Sequence, residues 1–197
     1  MARPKAGTNE IPTDVRILTA AEAAFGELGF ERATLAEIAT EAGIRRPSLL
    51  YHFKSKDELY AQVVNLLFDS LRTELGKSMV PGAFAQQIVS LAQAFVDFTE
   101  SRPAFAPIVL REIIDGRGPA REILLHELAP VLGLVEKWIE LQGSQDLPEG
   151  LKVRSAVLQF CTNVLLRNAS GPLREALWGD IDDSMSLVRQ LFLRRAD

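Results

Sequence analysis

The stretch from Thr34 to Leu59 constrains this chain more than any other, because it predicts two short helices joined by a glycine turn. Thr34 and Glu37 form a T-x-x-E pattern, in which the hydroxyl and the carboxylate together cap the start of a helix. Gly43 lies where the chain turns, and glycine adopts a positive φ without steric cost. Pro47 falls in the first turn of the next helix, where its missing N–H is not needed. The segment therefore predicts a helix-turn-helix.

Charge is unevenly distributed around this motif. From Ala42 to Lys56 the chain has Arg45, Arg46, His52, Lys54 and Lys56 but no acidic residue, although the formal net charge of the whole chain is −4. Residues 1–56 carry eight Lys or Arg and seven Asp or Glu, whereas the remainder carries 14 and 19. A basic, acid-free motif on an acidic body indicates a local contact with a nucleic acid and no general affinity for polyanions.

A third helix begins directly after the motif and carries a cation at its start. Ser55 and Glu58 form a second capping pattern, S-x-x-E, and Lys56 lies just inside that helix. A cation at a helix N-terminus opposes the helix dipole. A bound phosphate would reverse this effect, because amides, dipole and ammonium would all face one anion. We therefore predict that Lys56 contacts a phosphate; a solvated surface lysine is the alternative.

The second helix of the motif is expected to run from about Arg46 to Phe53 and to enter the major groove of DNA. The side chains predicted to reach base edges are Arg45, Arg46 and Ser48. Phosphate contacts position a protein on DNA but carry little sequence information. The side chains predicted to make them are Thr34, Tyr51, His52, Lys54 and Lys56.

These residues resemble the signature of the TetR family of transcriptional regulators. The similarity runs from Thr34 to Leu59, and its most specific part is the string Tyr51-His-Phe-Lys-x-Lys56-x-x-Leu59. The resemblance implies a homodimer that binds palindromic half-sites of a double-stranded DNA operator. It also implies that helices five to eight enclose a pocket for a small, usually apolar molecule, and that the last two helices pair with their symmetry mates as a four-helix bundle.

The remainder of the chain predicts helices only. The first helix is expected from Thr13 to Gly29, and the helix that begins at Ser55 continues to about Lys77. Apolar residues after it recur at steps of three and four, as in the series Phe84, Ile88, Leu91, Phe95 and Phe98. No alternating strand pattern is present in the sequence.

The predicted fold class is all-α, with an N-terminal three-helix helix-turn-helix DNA-binding domain followed by a helical ligand-binding and dimerisation domain. We place the first domain at residues 1–54, with residues 1–12 as a flexible arm, and the second at residues 55–197. Arg3 and Lys5 lie in that arm, which either tracks DNA or is an inert tail.

The last two long helices, expected at about residues 151–168 and from Asp182 to the terminus, are apolar over a wide arc. Such helices are buried on more than one side. We predict that one face meets the chain's own core and the other a second copy, because paired half-sites require two recognition helices. A single thick monomer core is the alternative. The predicted interface residues are Leu158, Cys161, Leu165, Met185, Val188, Leu191 and Phe192.

Binding pockets are mostly apolar with a few placed polar groups. The candidates for lining one are the aromatic residues Phe68, Phe95, Phe98, Phe105, Trp138 and Phe160 and the polar residues His126 and Asn163. Ordinary core packing is the alternative for each aromatic residue. A surface or interhelical contact is the alternative for each polar one.

The sequence predicts no catalytic site, no metal and no cofactor. His52 and His126 are far apart and lack neighbouring ligands, and there is no Gly-rich phosphate loop. Arg111, Glu112 and Asp115 are expected to form a salt-bridged surface face. An all-helical enzyme is a distant alternative to a regulator.

The expected location is cytoplasmic, because no apolar run is long enough to cross a bilayer and the first residues lack a signal-peptide core. The favoured function is a repressor released by a small molecule, with the helix from Ser55 to about Lys77 as the coupling element. A ligand-dependent activator and a co-repressor-type regulator of the same fold are the alternatives.

Overall fold

The computed structural model describes residues 11–79, 81–115, 121–180 and 182–194. The predicted arm, including Arg3 and Lys5, therefore lies largely outside the described residues, as do residues 195–197. The last helix was predicted to reach the terminus but ends at Phe192, because Leu193 is extended. Ten α-helices and no strand occur in the described part of the chain, which confirms the all-α fold class. The helices are α1 Thr13–Arg32, α2 Leu35–Glu41, α3 Arg46–His52, α4 Lys56–Ser78, α5 Phe84–Ser101, α6 Phe105–Asp115, α7 Arg121–Gln142, α8 Val153–Ala169, α9 Arg174–Trp178 and α10 Ser184–Phe192.

The helix-turn-helix forms from the local signals that predicted it. The Thr34 hydroxyl accepts a hydrogen bond from the Glu37 amide at 3.2 Å, and the Glu37 carboxylate accepts from the Thr34 amide at 3.1 Å. This is the complete capping box. Gly43 has a φ of 67°, as the turn requires. Leu49 is fully buried and anchors α3 against the neighbouring helices.

The first helix differs from its predicted end. Gly29 has a φ of 78° and a ψ of 169°, so the helical conformation is interrupted there. The chain then resumes a helical turn that continues to Arg32. The glycine was therefore correctly read as a break, but the break lies inside α1 and is not its terminus.

The second capping pattern forms only in part. The Ser55 hydroxyl accepts from the Glu58 amide at 3.0 Å, as predicted. The Glu58 carboxylate accepts from the Lys54 amide at 2.8 Å, one residue earlier than a capping box requires. The half-formed box still starts α4 at the predicted place.

The core is built around α4, which runs on from the helix-turn-helix. Its inward stripe includes Leu59, Val63, Leu67 and Leu71, all buried. The helix ends at Ser78, within one residue of its predicted end. It packs against α1, α5 and α7, so a single rigid element belongs to both halves of the molecule.

The C-terminal helices are close to their predicted positions, although α9 was not predicted. The link between α8 and α10 includes an ion pair in which the buried Arg167 guanidinium lies 2.7 Å from the Asp182 carboxylate. Burial alone would raise the pKa of Asp182, but the hydroxyl and amide of Ser184 and the charge of Arg167 outweigh it and lower that pKa. The pair fixes the approach of α10 to α8.

Candidate DNA interface and ligand cavity

The recognition helix α3 presents polar and aromatic side chains to solvent. Seven of the eight residues predicted to contact DNA are exposed, namely Thr34, Arg45, Arg46, Ser48, Tyr51, His52 and Lys54. Tyr51 is 87% exposed and lies among these polar side chains. Its ring lies edge-on to His52, with 5.7 Å between the ring centroids. These side chains form one continuous surface on α3 and the residues flanking it.

Lys56 is the exception, because its side chain is half-buried against α1. Its ammonium donates a hydrogen bond to the Glu31 carbonyl at 3.1 Å and lies 4.4 Å from the centroid of the Phe30 ring. The ammonium has three donors, so a phosphate contact is compatible with the bond to Glu31. Lys56 therefore has a structural contact that sequence analysis missed, and its predicted phosphate contact stays a prediction.

Arg16 also makes a structural contact, and sequence analysis did not single it out. Its guanidinium donates to the Ala42 carbonyl at 3.0 Å, which lies at the C-terminal end of α2. A cation at a helix C-terminus satisfies an orphan carbonyl and complements the dipole. Arg16 therefore holds the turn of the motif against α1.

The core of the molecule encloses an apolar cavity of about 110 Å³. Residues from α4, α5, α6, α7, α8 and α10 line it. Of the aromatic residues predicted to line a pocket, three do so: Phe95, Phe105 and Phe160. The cavity lies at the centre of these six helices, between their inward-facing apolar side chains.

The other predicted pocket residues lie elsewhere. Phe68 and Phe98 pack behind Phe105, with ring centroids 5.6 Å and 5.1 Å from it. Trp138 packs against Phe84 at 6.3 Å. His126 is exposed and Asn163 half-buried, and neither lines the cavity.

Several residues predicted for the dimer interface face this cavity. Those that line it are Leu158, Cys161, Leu165, Val188 and Phe192. Val188 and Phe192 are 0% and 2% exposed, so their side chains are not part of the surface available to a second copy. The helical spacing correctly marked two apolar faces on α8 and α10, but it could not tell which face points inward.

Cys161, the only cysteine in the sequence, lies at the cavity wall. Burial in these apolar surroundings raises the pKa of the Cys161 thiol to about 12. The thiol therefore stays protonated near neutral pH and behaves as a small apolar group with a weak donor.

The charged residues of α6 form a junction with the DNA-binding half. The Arg111 guanidinium donates to the carbonyls of Phe25 at 3.0 Å, Gly26 at 2.8 Å and Glu27 at 3.0 Å. These carbonyls lie just before the break at Gly29. The expected salt-bridged surface face is therefore wrong for Arg111, which instead binds the backbone of α1.

Glu112, the next residue, is 6% exposed and accepts a hydrogen bond from the Tyr60 hydroxyl at 2.8 Å. Its other carboxylate oxygen is buried without a hydrogen-bond partner. Burial and this carboxylate raise the pKa of Tyr60, so the phenol stays protonated and donates. The sequence gives one signal for this contact: helical spacing places Glu112 on an otherwise apolar face of α6.

The Tyr60 ring continues the junction toward Lys56. It lies 4.8 Å from Phe25 and 5.1 Å from Phe30, measured between ring centroids. Phe30 is the ring beneath the Lys56 ammonium. Contacts therefore run without interruption from α6 to the start of α4, beside the recognition helix.

Among the described residues, no cluster of His, Cys, Asp and Glu is arranged to hold a metal ion. None of the described helices combines the length and apolar character that a membrane span requires.

Comparisons with known proteins agree with this geometry. The family model of bacterial regulatory proteins, tetR family, matches residues 17–63. The transcriptional activator FasR of Mycolicibacterium smegmatis is 34% identical over 105 residues, which are 50% of this chain and 48% of FasR. The negative regulator of the icaADBC biofilm operon, IcaR of Staphylococcus aureus, is 41% identical over 56 residues, which are 28% of this chain and 30% of IcaR.

The similarity of fold extends over nearly the whole chain. The crystal structure of HlyIIR, a hemolysin II transcriptional regulator, superposes with a TM-score of 0.70 at 19% identity and covers 92% of this chain and 98% of HlyIIR. By contrast, the chain spans about half the length or less of the curated relatives it matches in sequence.

Fold and site together define a helix-turn-helix motif followed by a helical core with an apolar cavity, with α4 packed on α1, α5 and α7. The helix-turn-helix segment, residues 17–63, matches the family model of bacterial regulatory proteins, tetR family, and the rest of the chain shares the fold of the solved structures.

Proposed function

We propose that this chain is a site-specific double-stranded DNA-binding transcriptional regulator that works as a homodimer and releases its operator when a small molecule fills the core cavity. The exposed surface of α3 and its N-cap residue supports the proposal, because Arg45, Arg46 and Ser48 are exposed there and carry side chains of the kind that reads base edges. The buried Leu49 holds that surface in place from behind. Such a regulator works where the DNA is, which favours a cytoplasmic location.

The domain boundary that fits this function is the one at residues 54 and 55, immediately before α4. The first unit then contains α1, α2 and α3 and binds DNA. The second contains the cavity and the outward faces of α8 and α10. Because α4 packs on both units, motion of the core is transmitted to the recognition helix.

The helix α6 adds a second route for coupling. Phe105, Val109 and Ile113 on one face line the cavity. Arg111 and Glu112 on the other face hold α1 and α4. A molecule that displaces α6 therefore moves α1 and α4 together, which changes the separation of two recognition helices in a dimer. Half-sites on DNA have a fixed spacing of about 34–36 Å in many such systems, so a small tilt lowers affinity.

The dimer contact is proposed for the outward faces of α8 and α10. On α8, Leu166 is 43% exposed and does not line the cavity. Met185 and Leu191 on α10 are half-buried in the monomer. These faces would meet their mates around a twofold axis. A monomer at micromolar concentration in light scattering would contradict the dimer, and Leu191→Asp is expected to split it because it buries an unpaired charge.

The DNA-binding proposal is tested by selecting sequences from a random duplex pool with the purified chain. Enrichment of one palindromic sequence is the expected result, and failure to enrich any sequence would contradict the proposal. A variant in which Arg45 and Arg46 are both replaced by Ala keeps the fold and is expected to enrich nothing, because both side chains are exposed.

The direction of control is tested separately by titrating a bound small molecule with and without the selected operator. Linkage requires DNA and ligand to weaken each other by the same factor, typically 5–150-fold, if the ligand relieves repression. Tighter ligand binding in the presence of DNA would make the molecule a co-repressor. The named relatives include an activator, FasR, and a negative regulator, IcaR, so a reporter assay must set the sign of transcription.

A further inference from the structure

The chemistry of the cavity wall limits what the cavity can hold. Among the residues that line it, only Thr162 and Cys161 carry a polar atom in the side chain, and none carries a charge. A buried charge without a partner is strongly disfavoured. The wall therefore offers no counter-ion to a carboxylate, a phosphate or an ammonium group.

Among the described residues at the mouth of the cavity, none that lines it is charged. Its most exposed lining residues are Ile113, which is 53% exposed, Leu158, which is 41% exposed, and Thr162. The cation one helical turn before Leu158 is Arg154, and its guanidinium already donates to the Glu136 carboxylate at 2.8 Å. A charged headgroup at this rim would meet apolar side chains and a hydroxyl.

The volume sets a second limit. The cavity has a volume of about 110 Å³. Dry apolar cavities of about 150 Å³ are known to bind benzene. A molecule of roughly one ring, or six to eight carbons, fits this space if the flanking side chains move slightly.

We infer that the cavity takes a compact, uncharged, apolar molecule of about one ring in size and excludes charged amphiphiles of the same length. The Thr162 hydroxyl and the Cys161 thiol are the two groups that can meet a single neutral polar substituent, such as a hydroxyl. This inference rests on the proposed role of the cavity as the ligand site.

The test compares toluene with benzoate and benzylammonium by isothermal titration calorimetry on the full chain. Toluene is expected to bind with a dissociation constant on the order of 0.1–1 mM and to raise Tm. Both ions are expected to bind about 100-fold more weakly or not at all. The inference is overturned if toluene does not bind, or if benzoate or octanoate binds as tightly as toluene.

A cavity-filling variant locates the binding. Ala92 lines the cavity, so Ala92→Leu occupies part of the space and is expected to weaken toluene binding at least tenfold. Ser90→Leu also enlarges the side chain, but on the exposed side of the same helix, and is expected to leave toluene binding unchanged. If Ala92→Leu does not fold, Val157→Ile fills the same cavity with a smaller change. Unchanged toluene binding in the folded filling variant would overturn the assignment.

Failure of the inference and failure of the proposed function are distinguishable. DNA binding of the same samples is measured without toluene and then with it. If toluene binds but leaves operator affinity unchanged, the ligand class stands and control by this cavity fails. If the operator binds and toluene does not, the ligand class fails and the DNA-binding function stands.

Discussion

The helix-turn-helix and the cavity-bearing core use their apolar residues in opposite ways. In the first, a few fully buried residues such as Ile38 and Leu49 fill a small interior completely, and all polar function lies outside on α3. In the second, a much larger set of apolar residues from six helices surrounds a cavity, and the proposed ligand site lies inside. In the proposed function, the first region recognises a charged polymer at its surface, whereas the second binds an apolar molecule in its interior.

This difference shows where each region tolerates change. Ile38 and Leu49 are fully buried in the motif, so truncating either side chain costs stability directly. The core contains a cavity. A ligand that binds there only in the native state would raise the free energy of unfolding. A ligand can therefore control the second region, while only surface chemistry distinguishes DNA sequences in the first.

The largest effect is expected at the centre of the motif. Leu49→Ala removes a fully buried side chain and should lower the free energy of unfolding by about 2–5 kcal/mol and abolish operator binding. Chemical denaturation and a gel-shift assay measure the two effects. Leu50→Ala is the matched control, because Leu50 is 37% exposed on the same helix and should have little effect on stability. Equal losses in the two variants would contradict the packing described here.

The junction between the regions should give the next largest effect. Arg111→Ala removes hydrogen bonds to three carbonyls of α1 and should cost about 1.5–3 kcal/mol. It should also reduce the effect of a cavity ligand on DNA binding, as measured by operator titration with and without that ligand. Arg102→Ala is the control, because its pair with Glu22 is an exposed contact to the same helix and is worth at most about 1 kcal/mol. Full ligand coupling in Arg111→Ala would exclude α6 as a coupling route.

Substitutions on the recognition surface should distinguish base contacts from phosphate contacts. Arg46→Ala should cost about 1–3 kcal/mol and relax the preference at one base position, because the side chain is exposed and predicted to reach a base edge. Lys56→Ala should weaken binding to all sequences alike and reduce the salt slope by about one. Fluorescence anisotropy over a salt series measures both. A base-specific loss in Lys56→Ala would reverse the roles assigned to these two residues.

The smallest effect concerns the cavity thiol. The pKa of Cys161 rises from 9.0 in the unfolded chain to about 12 in the native state, because burial disfavours the thiolate. Its contribution to stability is therefore complete below pH 9 and is lost as the pH rises toward 12. Denaturation at pH 8 and pH 10 should show a steeper loss for the native chain than for Cys161→Ala. Identical slopes would mean that the thiol is not buried.

The sequence by itself determined the features that depend on neighbours along the chain. The capping box of Thr34 and Glu37, the turn at Gly43 and the start of α4 at Ser55 all follow from local hydrogen bonding and backbone conformation. The exposed surface of α3 was predictable for the same reason, because helical spacing places Leu49 inside and its charged neighbours outside.

Tertiary structure decided the features that depend on residues far apart in sequence. Lys56 meets Glu31 and Arg111 meets Gly26 only because α1 folds back against α4 and α6. Val188 lies in the core and not on the outer surface because α10 approaches α8 with that face inward. Helical periodicity gives the number of apolar faces but not their partners, since the sum of all packing contacts selects the one arrangement that buries them.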